Sequence, residues 1–429
     1  MEYRSKKFID ELNSRQQDAK LVSADRNLES LMAMRDRRSR KYGIKINESF
    51  GECGDDPGYY YQPKMSEYHD DRYLVTHEEF PFSRKFAITK DNRTIYSHDC
   101  SLVQTMLDYI DLRDPSKLPA AAYVCPNCAN ISSAEELAST GCPYCGTHFS
   151  IPELYPKVSH FTYNIISSDW RKNGVWKRRL LALIVFVVAY IFFAIVYYPT
   201  LMDLTCGELM VGPTIGYFVL LILAALIPAG ICYGVVNYIH IIKSGVSDGY
   251  SVSKKYAAKH STDFSTGVFE KTMEQYGPIF NFNYFSSKVY NLLGSVIYAE
   301  DMSECPFYNG PDFIGKFDEI IDYVPYGMEI LKFDVFENGI CTIESKILAD
   351  TYAYADEKIL HRRTEFRVRS TKNMNYPIDI NFSAHTYSCA GCSASYDAVK
   401  TSNCPYCGRP HDILDQDWYI DGEVICNFL

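Results

Sequence analysis

The sequence predicts a multidomain α+β membrane protein, and three observations carry that prediction. Two long uncharged apolar runs lie within 180–242 of the 429 residues. Apolar residues at helical spacing in 263–299 give way to two-residue alternation from Met328 onward. Helices followed by an antiparallel meander is an α+β pattern. Eight of the fifteen cysteines stand in four Cys-x-x-Cys pairs, two on each side of the apolar runs.

In chain order, residues 1–58 read as a helical, partly disordered segment. Phe8, Ile9, Leu12, Leu21, Leu28, Leu31 and Met32 draw a thin apolar stripe up to about residue 42. It ends in the basic run Arg35-Asp36-Arg37-Arg38-Ser39-Arg40-Lys41, which reads as a solvated helix face. The second reading is adsorption to an anionic leaflet, worth about 1 kcal/mol per basic residue. Gly51 to Gly58, with Pro57, reads as a linker. Residues 59–118 form a small mixed segment. Two short strands are expected in Arg84–Ile95 about a turn at Asp91-Asn92, and a helix at Ser101–Leu112. Tyr59-Tyr60-Tyr61 reads as core or a hydrophobic edge.

The segment 119–160 holds the first strong motif, Cys125-Pro126-Asn127-Cys128 followed by Cys142-Pro143-Tyr144-Cys145-Gly146. Four thiolates at this spacing make a tetrahedral zinc ribbon with Zn–S near about 2.3 Å; a redox dithiol pair or iron is the alternative. Gly146 supplies a positive φ that turns backbone amides toward the sulfurs. Four sulfurs close the coordination shell, so His148 is a bystander and no catalytic water is expected.

The apolar hairpin comes next. Leu180–Tyr198 holds nineteen uncharged residues, thirteen of them Leu, Ile, Val or Phe. At about 1.5 Å per residue that is close to the ~30 Å hydrocarbon core. Leu209–Ile242 has no charge in 34 residues, and 215–238 is its expected span, with Pro228-Ala229-Gly230 as a kink. A buried core helix for the first run and a re-entrant segment for the second are the alternatives. Arg171, Lys172, Lys177, Arg178 and Arg179 precede the first run, and Lys243, Lys254, Lys255 and Lys259 follow the second. The turn between them, Pro199–Glu208, has Asp203 and Glu208 but no basic residue. The positive-inside rule therefore places both termini in the cytoplasm and the lipid bilayer around two spans. The polar N-terminus, MEYRSKKFIDELNSRQQ, does not read as a signal peptide. Reducing surroundings agree with metal-binding rather than disulfide-bonded cysteines.

Residues 260–429 read as an α+β domain. Phe269, Met273, Tyr276, Phe280, Val289, Leu293, Val296 and Ile297 keep helical spacing, with Pro278 dividing two helices. Met328–Phe336 is a strand, Glu337-Asn338-Gly339 a hairpin turn, and Cys341–Ala349 and Leu360–Arg369 are further strands. Ile378–Tyr387 starts another. A second ribbon, Cys389-Ala390-Gly391-Cys392 with Cys404-Pro405-Tyr406-Cys407-Gly408, interrupts it over 387–412, and the chain resumes at Asp417-Trp418-Tyr419-Ile420. Its His411 likewise finds no vacancy. Two structural zinc ions, one per ribbon, are thus the expected cofactors.

From Asp263 on, three stretches carry a family resemblance: Phe264…Phe269, FDVFENGICTIESKILADTYAY (333–354) and RRTEFRVRS (362–370). With the terminal ribbon before Asp417-Trp418, this arm of about 165 residues resembles the C-terminal domain of the mitochondrial import-motor tether, subunit forty-four of the inner-membrane translocase, in its bacterial form. The resemblance implies a cone of curved sheet and helices, like nuclear transport factor two, at the inner face of a membrane. The mitochondrial relative is peripheral and tethers a chaperone to the translocon. A hairpin and another ribbon replace its N-terminal part here, so a role in import does not carry over.

Charge narrows the function classes. Met1–Arg179 has 26 basic and 25 acidic residues, whereas from Lys243 on there are 17 and 26. An acidic C-terminal arm, and a first ribbon with no Lys or Arg between Tyr123 and Pro152, place zinc-ribbon nucleic-acid binding at the membrane last of three readings. The chain has no HExxH, GxSxG, P-loop or GxGxxG motif and no assigned catalytic residue. An anchored binding or adaptor protein for a protein partner, or for a lipid or apolar ligand, is the leading expectation. An enzyme working in the cone pocket is the alternative, with Asp334, Asp350, His361 or Asp379 as candidates. Cys53, Cys100, Cys206, Cys232, Cys305, Cys341 and Cys426 have no assigned role.

Overall fold

A computed structural model describes residues 4–15, 19–53, 62–118, 120–168, 175–204, 215–216, 218–236, 267, 269–271, 273 and 281–428. The cluster Tyr59–Tyr61, Phe264, Tyr276, Pro278, Phe280, Cys206 and the basic residues 243–259 lie outside these.

The first helices, α1 (Arg4–Ser14) and α2 (Arg26–Lys41), are where expected. The carboxylate of Asp25 accepts the Leu28 amide at 2.7 Å and caps α2. The basic run, however, is neither a solvated face nor a membrane-binding one. Arg38 is 1% exposed and donates to the carbonyls of Phe317, Ile297 and Ala299 at 2.8, 3.1 and 3.3 Å. Arg37 forks onto Glu304 at 2.7 and 2.6 Å, and Lys41 meets Asp318 at 2.9 Å. The acidic C-terminal part of the chain takes up these cations, which is why the apolar stripe of α2 looked thin.

A six-stranded antiparallel sheet follows. It uses β1 (Ile44–Glu52), β2 (Lys64–His69), β3 (Tyr73–Lys90), β4 (Arg93–Ser97) and β5 (Cys100–Leu112). After the ribbon elements β6 (Ala122–Val124), β7 (Ile131–Ser133), α3 (Ala134–Ser139) and α4 (Ile151–Leu154), β8 (Lys157–Ser168) completes it in the order β1-β3-β5-β8. The long β3 is the spine, with β1 and β2 along one edge and β4 and β5 along the other. Asp91 and Asn92, at φ 50° and 60°, form the expected turn. Two expectations are corrected. Residues 44–52 are strand rather than part of a helical segment. Ser101–Leu112 is strand rather than helix: β5 lies between β3 and β8 and is buried on both faces, so its apolar residues show no alternation.

The second layer starts with α7 (Phe282–Tyr298), which follows the hairpin helices α5 (Val175–Leu204) and α6 (Phe218–Val236) in sequence. Phe269 and Met273 are helical and buried. A sheet follows, made of β9 (Tyr308–Asn309), β10 (Ile320–Val335), β11 (Ile340–Ala355) and β12 (Lys358–Asn373). It is completed, after the ribbon strands β13 (Tyr387–Ser388) and β14 (Ser395–Tyr396) and the short α8 (Ile413–Gln416), by β15 (Tyr419–Asp421) and β16 (Ile425–Phe428). Gly339, at φ 83°, makes the expected β10–β11 turn; Asp356 and Glu357, at 49° and 59°, make the next. The second ribbon is indeed inserted between β12 and β15, which pair at Ser370–Ile420 and Thr371–Tyr419. Ile378–Thr386 is not a strand, because Asp379 and Ser383 cap the amides of Asn381 and His385 and curl the chain locally. Trp418, fully buried, meets Phe285 of α7 edge-on at 4.8 Å and closes the core.

The two layers do not form separate arms. Arg35 of α2 binds Asp322 of β10 at 2.7 Å and lies 3.6 Å from Glu48 of β1. Glu48 also accepts from Arg84 of β3 at 2.6 Å and from Tyr163 of β8 at 2.7 Å. Arg84 reaches the Tyr352 hydroxyl of β11 at 3.3 Å and lies 4.0 Å over Phe86. Burial disfavours the charge on Glu48, but Arg84 and Arg35 outweigh it and hold its carboxyl below the usual range. Nearby, Thr162 donates to Pro325 O and Asn291 to Ser159 O, at 2.5 and 2.9 Å. Met1–Ser168 and Ala257–Leu429 accordingly form one compact unit.

Asp169–Tyr256 is a second unit. It carries α5 and α6, with the apolar stretches Arg179–Pro199 and Phe218–Val236. Both are long and apolar enough to cross a bilayer. Leu183, Val188, Phe192 and Ile195 on the first and Leu220, Leu223, Ile227 and Ile231 on the second are exposed. The expected kink residues Pro228-Ala229-Gly230 stay within helical α6.

Removing Arg84 should strand Glu48 among buried groups. Arg84→Ala is expected to destabilise the protein by about 3–5 kcal/mol in chemical unfolding. His77 gives a pH test. Burial opposes its charge, but Asp108, 2.6 Å away, outweighs burial and lifts the imidazolium to about 10. The raised value means this contribution is full below about pH 6.5 and is lost as pH rises toward 10. His77→Gln should flatten the fall of Tm between pH 7 and 10.

Candidate metal centres

Each ribbon brings its four cysteines to one point. A tetrahedral ion with Zn–S of about 2.3 Å requires sulfurs about 3.8 Å apart. Cys125 and Cys145 lie 3.8 Å apart, and Cys128 and Cys142 3.7 Å. In the second ribbon Cys389–Cys407 and Cys392–Cys404 are both 3.6 Å. Within each set all four sulfurs lie within 4.8 Å of one another. The donor set and its dimensions fit a tetrahedral divalent ion, and the thiolate character points to zinc or iron.

The fit comes from one backbone turn used four times. The carbonyls of Cys125, Cys142, Cys389 and Cys404 accept the amide four residues on, from Ala129, Gly146, Ser393 and Gly408, at 2.8–2.9 Å. Their own amides donate to the carbonyls of Asn130, Thr147, Ala394 and Arg409 at 2.7–2.9 Å. This turn needs a left-handed residue after the second cysteine. Gly146 and Gly408 supply it at φ 70° and 76°, as the sequence suggested. Ala129 and Ser393 adopt it at 60° and 61° although they carry a Cβ, and nothing in their identity signals it.

Packing fixes the inner half of each site. Cys125 and Cys142 are buried against Leu137, Leu154 and Tyr155, with Tyr73 and Ile110 of the first sheet behind them. Helix α3 is held by a capping box between Ser133 and Glu136. Cys389 and Cys404 sit in a separate small core with Tyr387, Tyr396, Ala398 and Ile413. Cys145, Cys392 and Cys407 face solvent.

Hydrogen bonds to sulfur differ between the two centres. At the first, Asn127 and Asn130 donate to Cys145 and Cys128 at 3.6 and 3.5 Å, and the Thr147 hydroxyl lies 3.4 Å from Cys145. Those to Thr147 bring the Cys145 thiol down to about 6. At the second, the Gly391 amide donates to Cys389 at 3.3 Å and helps bring that thiol to about 6. His148 packs over Gly141, and His411 donates its amide to Ser402; neither joins a cluster.

The four residues named for acid–base chemistry do not assemble. Asp334 is paired with Lys332 at the exposed end of β10. It faces Thr342 across the sheet, while Asp350 faces Val324, ten residues back along β10. Asp379 is exposed. Asp350 is buried and does meet His361, at 3.2 Å, with that ring stacked 4.6 Å from Tyr352. Cys100, Cys305, Cys341 and Cys426 are shielded thiols raised by burial, Cys100 to about 11 and Cys341 to about 12. No described cysteine is in a disulfide.

No family model matches the chain, and neither a curated protein nor a solved structure matches it.

Metal analysis of the purified protein should find two bound metal ions per chain, and Cys142→Ser should remove one of them. Gly146→Val forces a branched side chain into the left-handed turn and is expected to cost about 1–2 kcal/mol. Thermal unfolding with and without chelator checks that figure.

Proposed function

We propose that the chain is a membrane-anchored adaptor that holds a protein partner at the cytoplasmic face of a bilayer. The observation that carries this reading is the co-folding of Met1–Ser168 with Ala257–Leu429. Two flanks that share one core must lie on the same side of any membrane, so an inserted 180–242 has to cross an even number of times. Two apolar helices with outward-facing Leu, Ile, Val and Phe meet that requirement. The basic flanks and the metal-type spacing of the cysteines favour the cytoplasmic side for both termini.

The metal centres fit this role as struts. Four thiolates leave an ion no open position for substrate, so zinc here would stiffen each ribbon rather than react. The packing of α7 on the β10–β12 meander supports the expected cone of an import-tether-like domain, whose surface or inner side would receive the partner or an apolar ligand. A second reading, an acid–base enzyme, rests on the buried Asp350–His361 pair.

Cells treated with a membrane-impermeant maleimide should leave Cys145, Cys392 and Cys407 unlabelled until they are permeabilised and zinc is chelated. Labelling of intact cells would place the body on the outer side. Crosslinked detergent extracts should enrich a protein with the full chain and not with a hairpin-only control. Enrichment of none would remove the adaptor reading. His361→Gln should leave that capture unchanged if the adaptor reading holds.

A further inference from the structure

We propose that the second metal centre is a release site, opened by peroxide or a soft electrophile at Cys407, while the first holds its ion. The proposal rests on the zinc reading of both clusters. The two ribbons share the same turns and the same sulfur geometry, so differences between them isolate what surrounds the sulfurs. In the first, three polar side chains surround the outer thiolates: Asn127, Asn130 and Thr147. The corresponding positions of the second are Gly391, Ala394 and Arg409. Not one of these three offers a side-chain amide or hydroxyl to sulfur.

Cys145 and Cys407, the fourth ligands, are both exposed, so access alone does not separate them. Hydrogen bonds do. A donor on a thiolate withdraws charge from the sulfur and lowers its nucleophilicity. Cys145 has Asn127 and Thr147 beside it, whereas Cys407 has the Arg409 side chain lying across Gly391. A Cβ at Gly391 would meet Arg409 Cδ at 3.1 Å and Cys407 Sγ at 3.6 Å. Arg409 thus stands where Thr147 does in the first ribbon and brings neither an amide nor a hydroxyl to that sulfur.

The oxidative step balances. The Cys407 thiolate attacks one oxygen of hydrogen peroxide, the S–O bond forms as the O–O bond breaks, and hydroxide leaves. The Cys389 thiolate, 3.6 Å away, then attacks that sulfenic sulfur and expels a second hydroxide. Two thiolates have supplied two electrons, the peroxide oxygens have left as hydroxide, and an ion held there would keep only Cys392 and Cys404. Zinc held by two thiolates is lost to any competing chelator.

The holoprotein in detergent is first assayed for zinc, then treated with hydrogen peroxide in the presence of a chromogenic chelator. Quenched samples are alkylated and mapped by mass spectrometry. One zinc equivalent should appear roughly tenfold faster than the other, as expected for loss of one to two hydrogen bonds at sulfur. The fast phase should coincide with a Cys389–Cys407 disulfide. Equal rates, or earlier oxidation of Cys145, would overturn the proposal. A starting content below two ions would instead remove the metal reading. The triple variant Gly391→Asn, Ala394→Asn, Arg409→Thr should erase the fast phase, and its persistence also overturns the proposal. Should that variant lose zinc on its own, the wild-type order decides.

Discussion

The body formed by the two sheets depends on four charges set between them. Asp322, Arg35, Glu48 and Arg84 form a linked row, two cations and two anions, with Tyr163 and Tyr352 adding hydrogen bonds. Three of the charges come from before the apolar hairpin and one from after it. A buried ion pair is weak evidence for stability, because desolvation consumes most of the attraction, but breaking one is costly. Ion pairs of this kind can instead select which surfaces pair. Apolar faces would let the two sheets pack in several registers, whereas charges with no water must find their own partners.

That weld determines what the hairpin can be. Residues 180–242 are separated from both chain ends by well over a hundred residues, yet their flanks belong to one body. A single crossing is incompatible with such a body, and a pair is not. The two cysteine clusters lie apart from that row: the first is built into the core of the first sheet, while the second stands on its own small core between β12 and β15.

The sequence announced the parts whose signal is local. Cysteine spacing located both centres to the residue, Asn338-Gly339 and Asp91-Asn92 marked their turns, and hydropathy placed α5 and α6 within a few residues. Where burial is two-sided, the signal failed. Residues 101–112 have apolar residues on both faces, so period two disappears and a helix is the natural misreading. The basic end of α2 misled for a related reason: surface and buried arginines look alike until their partners are known, and Asp322, Glu304 and Asp318 lie about 260 residues or more away in sequence. Ala129 and Ser393 show the same limit on a smaller scale, because the turn imposes a left-handed backbone on side chains that do not advertise it.

The segments before and after residues 180–242 are halves of a single body. Expressing the chain as two pieces, cut between Thr205 and Cys206 with an affinity tag on one, tests this most directly. Both pieces should elute together from detergent with two metal ions, and Arg35→Ala with Arg84→Ala should separate them. Pieces that elute apart, each folded and holding its own ion, would contradict it.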